Sequence, residues 1–78
     1  MILTDGTHLV GHPISELHRF AESIGLKRKW YQTQSRHPHY DIMSKTILNR
    51  ALEKGAVLGT KKQIVDFIRQ YSKEASHA

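Results

Sequence analysis

The sequence predicts an α/β domain: a small βαβαβα-like unit with a three-stranded, mostly parallel sheet. Three observations carry that expectation. Apolar residues recur at helical spacing in three separate stretches, short β-prone runs alternate with them, and 78 residues suffice for a single core. Strands that alternate with helices pair in parallel when each helix serves as the crossover. The rival is an α+β arrangement with one antiparallel strand, because the middle strand is short.

Taken in order, Met1 to Thr4 reads as the first extended segment, followed by a loop from Gly6 to His12. From Ile14 to Ile24 the residues Ile14, Leu17, Phe20, Ala21 and Ile24 form one apolar stripe. Pro13 suits the first turn of that helix, Ser15 is an alternative cap, and Gly25 is a C′ stop. Lys29 to Gln32 is the expected middle strand, with "HYDIM" (39–43) as its competitor. A second helix runs from Lys45 to Lys54, capped by Ser44 and stopped by Gly55, with Ile47, Leu48, Ala51 and Leu52 inward. Ala56 to Leu58 is the third strand. Thr60-Lys-Lys-Gln63 is a capping box for a third helix, which buries Ile64, Phe67, Ile68 and Tyr71 with Val65 beside them. Residues 1–72 make one domain and 73–78 a flexible tail.

Composition narrows the function classes. The chain has no cysteine, which excludes disulfides, thiolate metal sites and cysteine nucleophiles. No apolar run approaches membrane length and no signal peptide is recognisable, so no membrane partner and a cytoplasmic location are expected. A formal charge of +5 favours anionic partners, and six histidines titrate near neutrality.

Ligands of an open parallel sheet gather outside the carboxyl ends of its strands. Those ends are Asp5 with the loop carrying His8, the segment after Trp30, and Gly59-Thr60. Convergence of Asp5, His8, the "HPHYD" run (37–41) and the amides of Thr60 to Gln63 on one edge is therefore expected. If "HPHYD" is extended, His37, His39 and Asp41 share a face, as two imidazoles and a carboxylate do around iron or zinc. A mixed set drawing on Asp5 or His8 with His39 and Asp41 is the better metal candidate, because real triads take ligands from separate elements. Alternatively Asp41 orients a histidine for proton transfer, with His39, Asp41 and Asp5 as the catalytic candidates. The plain structural reading is that Asp41 caps a turn, His39 packs against it and Tyr40 is core.

A third chemistry is phosphate recognition. Lys27-Arg28-Lys29-Trp30-Tyr31 interleaves cations with aromatics, the pairing that holds a backbone and stacks a base. Lys45 adds charge beside the histidines, and Thr60-Lys61-Lys62 opens a helix. A lone Trp is more often core than platform. His18 flanks the apolar stripe of the first helix, His12 serves the helix entrance, and His77 lies in the tail.

"ILTDGTHL", "ELHRFAESIGLKRKW", "HPHYD" and "ALEKGAV" together resemble a family of short bacterial and bacteriophage proteins catalogued as a domain of unknown function. The resemblance covers roughly residues 2 to 60 and implies phage or mobile-element origin, with no established activity. Its shared polar residues fall here on Asp5, His18, Trp30, His39, Tyr40 and Asp41. Many members carry an Asp just before the first helix, where this chain reads Gly11-His12-Pro13, and a basic residue after the turn into the second helix, which Lys45 matches approximately. A carboxylate-rich metal site has less support here than in such relatives.

The leading expectation is binding of a phosphate-bearing ligand, a nucleotide or nucleic acid. His39, Asp41 and Asp5 form its centre, and His8, His18, Lys27, Arg28, Lys29, Trp30, Tyr31, His37, Tyr40 and Lys45 contribute. A phosphodiester or nucleotide hydrolase, with a divalent metal allowed and not required, is the second class. A phage accessory protein that inhibits a host protein is the third.

Overall fold

The computed structural model describes residues 1–32 and 38–76. The chain folds as β1 (Ile2–Thr4), β2 (His8–Gly11), α1 (Ile14–Ser23), a 3-10 turn (Arg28–Trp30), β3 (Tyr40–Asp41), α2 (Lys45–Glu53), β4 (Val57–Leu58) and α3 (Lys61–Ser76). The three helices stand where the apolar stripes place them. Helix α3 extends through residues 73–76, which composition alone assigns to a tail.

The sheet corrects the expected topology. It has four strands in the order β3-β2-β1-β4, and only β1 and β4 pair in parallel. The β1–β2 and β2–β3 pairs are antiparallel, so the mixed sheet lies nearer the α+β alternative than a three-stranded parallel unit. The cause is Asp5-Gly6, a dipeptide suited to hairpin turns. Gly6 adopts φ +97°, a left-handed conformation that glycine reaches without strain. Asp5 Oδ1 accepts the amides of Thr7 (2.9 Å) and His8 (2.8 Å). The buried Thr4 hydroxyl accepts Gly6 N and donates to the His8 carbonyl at 2.7 Å. The segment read as a loop therefore turns back on β1, pairing Ile2 with Gly11, Leu3 with Val10 and Thr4 with Leu9.

The middle strand also moves. Trp30 and Tyr31 donate their amides to the Lys27 and Arg28 carbonyls at 2.9 and 3.1 Å, winding "RKW" into a 3-10 turn rather than a strand. The extended piece is Tyr40–Asp41, inside the competing "HYDIM" segment, and Gln32 joins it through one antiparallel bridge to His39.

Strand residues alternate between two helical layers. Ile2, Leu9 and Tyr40 pack with Leu17, Ala21 and Ile24 of α1 and with Ala51, Ile47 and Leu48 of α2. Leu3 and Val10 face the other way, against Ile64, Phe67 and Ile68 of α3. Gly11 allows α1 to approach, since a Cβ there would sit 2.7 Å from Ile2 Cδ1 and 3.1 Å from Leu17 Cβ. Helix ends follow the sequence signals: Ser44 Oγ accepts Ile47 N at 3.2 Å, and Thr60 and Gln63 cap each other at 2.8 and 3.1 Å.

Candidate functional site

Register and alternation build the site. The β2–β3 ladder sets His8 opposite Asp41 and Leu9 opposite Tyr40. Leu9 and Tyr40 enter the α1–α2 core, so His8 and Asp41 emerge on the α3 side. On that side α3 packs on Leu3 and Val10, while the β3 end carries polar side chains. His39, two residues before Asp41, shares the face. The His8 and His39 rings meet edge to face with centroids 5.0 Å apart.

Each imidazole is held by a carboxylate. Asp5 Oδ2 lies 3.0 Å from His8 Nδ1, and Asp41 Oδ1 lies 3.1 Å from His39 Nε2. Gln32 Nε2 donates to the other Asp41 oxygen at 2.6 Å. The result is a row running Asp5, His8, His39, Asp41, Gln32. The Asp5 side chain is only 3% exposed. That burial pushes its pKa up, but the His8 ring, the His8 and Thr7 amides and the His8 charge together outweigh it, holding the carboxyl below its usual value. Asp5 is therefore a carboxylate near neutral pH, and as an acceptor it takes the hydrogen bond from His8 Nδ1, leaving Nε2 as the other ring nitrogen.

The ligand atoms of His8, His39 and Asp41 all lie within 4.8 Å of one another. Asp5, expected at the centre, meets this cluster through its contact with His8. His8, expected as a contributing residue and as one option in the mixed metal set, lies with His39 and Asp41. Gln32 was not among the candidates, and its sequence gives no signal. His8 did leave one, the Asp-Gly turn that sets it opposite Asp41.

Other candidates lie elsewhere. His18 and Tyr40 point into the α1–α2 layer, where Tyr40 is fully buried and its hydroxyl lies 2.7 Å from His18 Nδ1. The Tyr31 ring stands edge-on to His18 at 4.7 Å and tilted to Tyr40 at 5.1 Å. Burial lowers the His18 pKa, aided by the Arg28 charge and opposed by Glu22. Burial raises both tyrosines, with Arg28 opposing. His18 and Tyr40 are a core pair on the sheet face opposite His39 and Asp41, and the partly buried Tyr31 packs against that core. Lys27, Arg28 and Lys29 are exposed on the 3-10 turn, and Lys27 Nζ sits 5.6 Å from the Trp30 ring centroid. Trp30 is 37% exposed, closer to a platform than to core. Lys45 is exposed at the start of α2. His37 falls outside the described residues, as does the neighbouring Arg36.

Beside the row, Val10, His12, Tyr31, Pro38, Phe67 and Tyr71 help to line a largely apolar cavity of about 410 Å³. Val10 is two residues along β2 from His8, and Pro38 precedes His39. The His12 and Tyr71 rings stack at 4.0 Å.

The fold and site define a small α/β domain with a histidine–carboxylate row on a half-covered sheet face. The chain belongs to the family described as Protein of unknown function (DUF4031), whose family model matches residues 5–71. No curated protein and no solved structure matches the chain.

Proposed function

We propose that the protein binds a phosphate-bearing ligand, a nucleotide or single-stranded nucleic acid. The observation that carries this reading is the 3-10 turn: exposed Lys27, Arg28 and Lys29 beside a partly exposed Trp30 whose ring Lys27 covers. Cations that neutralise a backbone beside an aromatic face that stacks bases are the working parts of sequence-tolerant strand binding. Two residues past Trp30, Gln32 reaches Asp41, so the basic turn is tied to the histidine–carboxylate row. The chain's positive charge supplies long-range attraction.

The test is titration of the single tryptophan's fluorescence with a short oligothymidylate. Binding quenches Trp30, and the affinity falls with salt by a log–log slope of about −0.7 per phosphate contacted. Trp30→Ala, which removes that fluorophore and is followed by the anisotropy of a dye-labelled oligonucleotide, weakens binding by about 1–3 kcal/mol for each base stacked. Affinity indifferent to salt, or no binding to the oligonucleotide or to mononucleotides, refutes the proposal.

A second reading, hydrolysis of a phosphodiester, is favoured by the His39–Asp41 pair at 3.1 Å, in which a carboxylate orients an imidazole. Turnover of a chromogenic phosphodiester that disappears in His39→Gln supports it.

A further inference from the structure

We infer that His8, His39 and Asp41 form a binding site for one divalent transition-metal ion, zinc or a first-row neighbour. The inference stands on this cluster alone and does not require the phosphate-binding reading.

Donor chemistry comes first. Two imidazoles and one carboxylate suit zinc, cobalt, nickel or iron, whereas magnesium and calcium favour all-oxygen sets. Spacing comes next. Two atoms bound to one tetrahedral ion at about 2.0–2.2 Å each stand roughly 3.3 Å apart. His39 Nε2 and Asp41 Oδ1 are 3.1 Å apart, already near that separation. The whole set spans no more than 4.8 Å, within about 1.5 Å of the separation of two ligands on one ion. The ligands also come from two adjacent strands, which removes the angular strain of taking all three from one short run.

The surrounding groups are those a metal site uses. A ligating histidine characteristically gives its other nitrogen to a carboxylate, which fixes the tautomer and strengthens the donor. Asp5 does this to His8 through Oδ2. The Asp-Gly turn explains Asp5 Oδ1, which takes two backbone amides, but a turn does not require Oδ2 to hold a histidine ring. Gln32 engages Asp41 Oδ2 and leaves Oδ1 on the His39 side. Two carboxylates, Asp5 and Asp41, balance the charge of a divalent ion. With three protein ligands the ion keeps at least one position for water or for a ligand oxygen, the arrangement of reactive rather than closed structural sites.

The test uses the full chain without an affinity tag, titrated with zinc and cobalt(II) chloride by calorimetry and visible absorption. One ion binds per chain, and cobalt gives a visible d–d band. His8→Ala and His39→Ala weaken binding by about 100-fold or more, and Asp5→Asn by about 10- to 100-fold, the range for partners that orient a ligand. Asn keeps the oxygen that accepts the turn amides, so Asp5→Asn preserves the hairpin. His12→Phe, which retains the ring stack on Tyr71, leaves the affinity within about twofold of wild type, because His12 is no part of the cluster. Circular dichroism of each metal-free variant checks folding. Should either alanine variant unfold, wild-type stoichiometry and Asp5→Asn decide. No saturable binding by the wild-type chain, or wild-type affinity in the folded variants of His8, His39 or Asp5, overturns the inference. Loss of nucleic-acid binding alone leaves it standing.

Discussion

Tyr40→Phe removes one oxygen atom and keeps the ring. Tyr40 is fully buried and His18 is 8% exposed, and the lost hydroxyl lies 2.7 Å from His18 Nδ1. The phenyl ring keeps its tilted contact with Tyr31 at 5.1 Å, so packing volume changes little. What is lost is the partner of a buried ring nitrogen, which costs about 1–3 kcal/mol when the group cannot reach water. In a domain of this length each kcal/mol moves the Tm by about 4–8 °C, so the variant melts roughly 4–24 °C below wild type. Thermal unfolding followed by far-UV circular dichroism at neutral pH measures it. Zinc affinity should stay at the wild-type level, because Tyr40 lies on the sheet face opposite His39 and Asp41. A second variant, His18→Leu with Tyr40→Phe, should recover part of the loss by removing both polar groups together. An unchanged Tm, or an unchanged Tm with weakened zinc binding, would refute the assignment of this pair to the core.

Stability should also fall in mild acid. The His18 pKa is lowered in the folded chain from its ordinary 6.5, chiefly by burial and then by Arg28, with Glu22 opposing. The unfolded chain therefore takes up this proton first as pH falls, and stability declines from 6.5 down to the folded-state pKa, with no contribution above that window. Tm measured across this range should show a shallower slope in His18→Gln, and an unchanged slope would contradict the assignment. Gly11→Ala should cost about 1–3 kcal/mol in a urea melt, the usual penalty of overpacking. Its new Cβ would crowd Ile2 Cδ1 at 2.7 Å, with Leu17 Cβ and the Met1 carbonyl at 3.1 Å, and a neutral result would show that α1 can yield there. Ser44→Ala should lower stability by about 1 kcal/mol through the lost bond to Ile47 N, and an unaltered melt would remove the cap from the account.

The helices were legible because their signals are local. Ser44, Gly25, Gly55 and the Thr60–Gln63 box each act within a few residues, and the apolar stripes report which face is covered. The sheet was less legible because alternation of strands and helices outweighed the Asp5-Gly6 turn. Val10 and Leu9 look alike in sequence, yet they face different helices once the hairpin closes. The same turn decides the site. "HPHYD" placed His39 and Asp41 on one face, but only the β2–β3 register brings His8 opposite Asp41. Gln32 was invisible because its contact with Asp41 depends on the 3-10 turn, which three cations and a tryptophan do not announce. His18 and Tyr40 read as site residues for a related reason: a polar pair that satisfies itself inside a core has the composition of a functional one.

The measurement that tests the account most directly is a histidine side-chain nitrogen–proton correlation spectrum of the full chain, recorded as zinc is added up to one equivalent. Six histidines contribute signals. The account predicts that His8 and His39 move to metal-bound nitrogen shifts together, with His8 retaining its proton on Nδ1 against Asp5, while His12 and His18 stay in place. Zinc-dependent shifts at His12 or His18 with His8 and His39 unmoved, or no shifts at one equivalent, would contradict it.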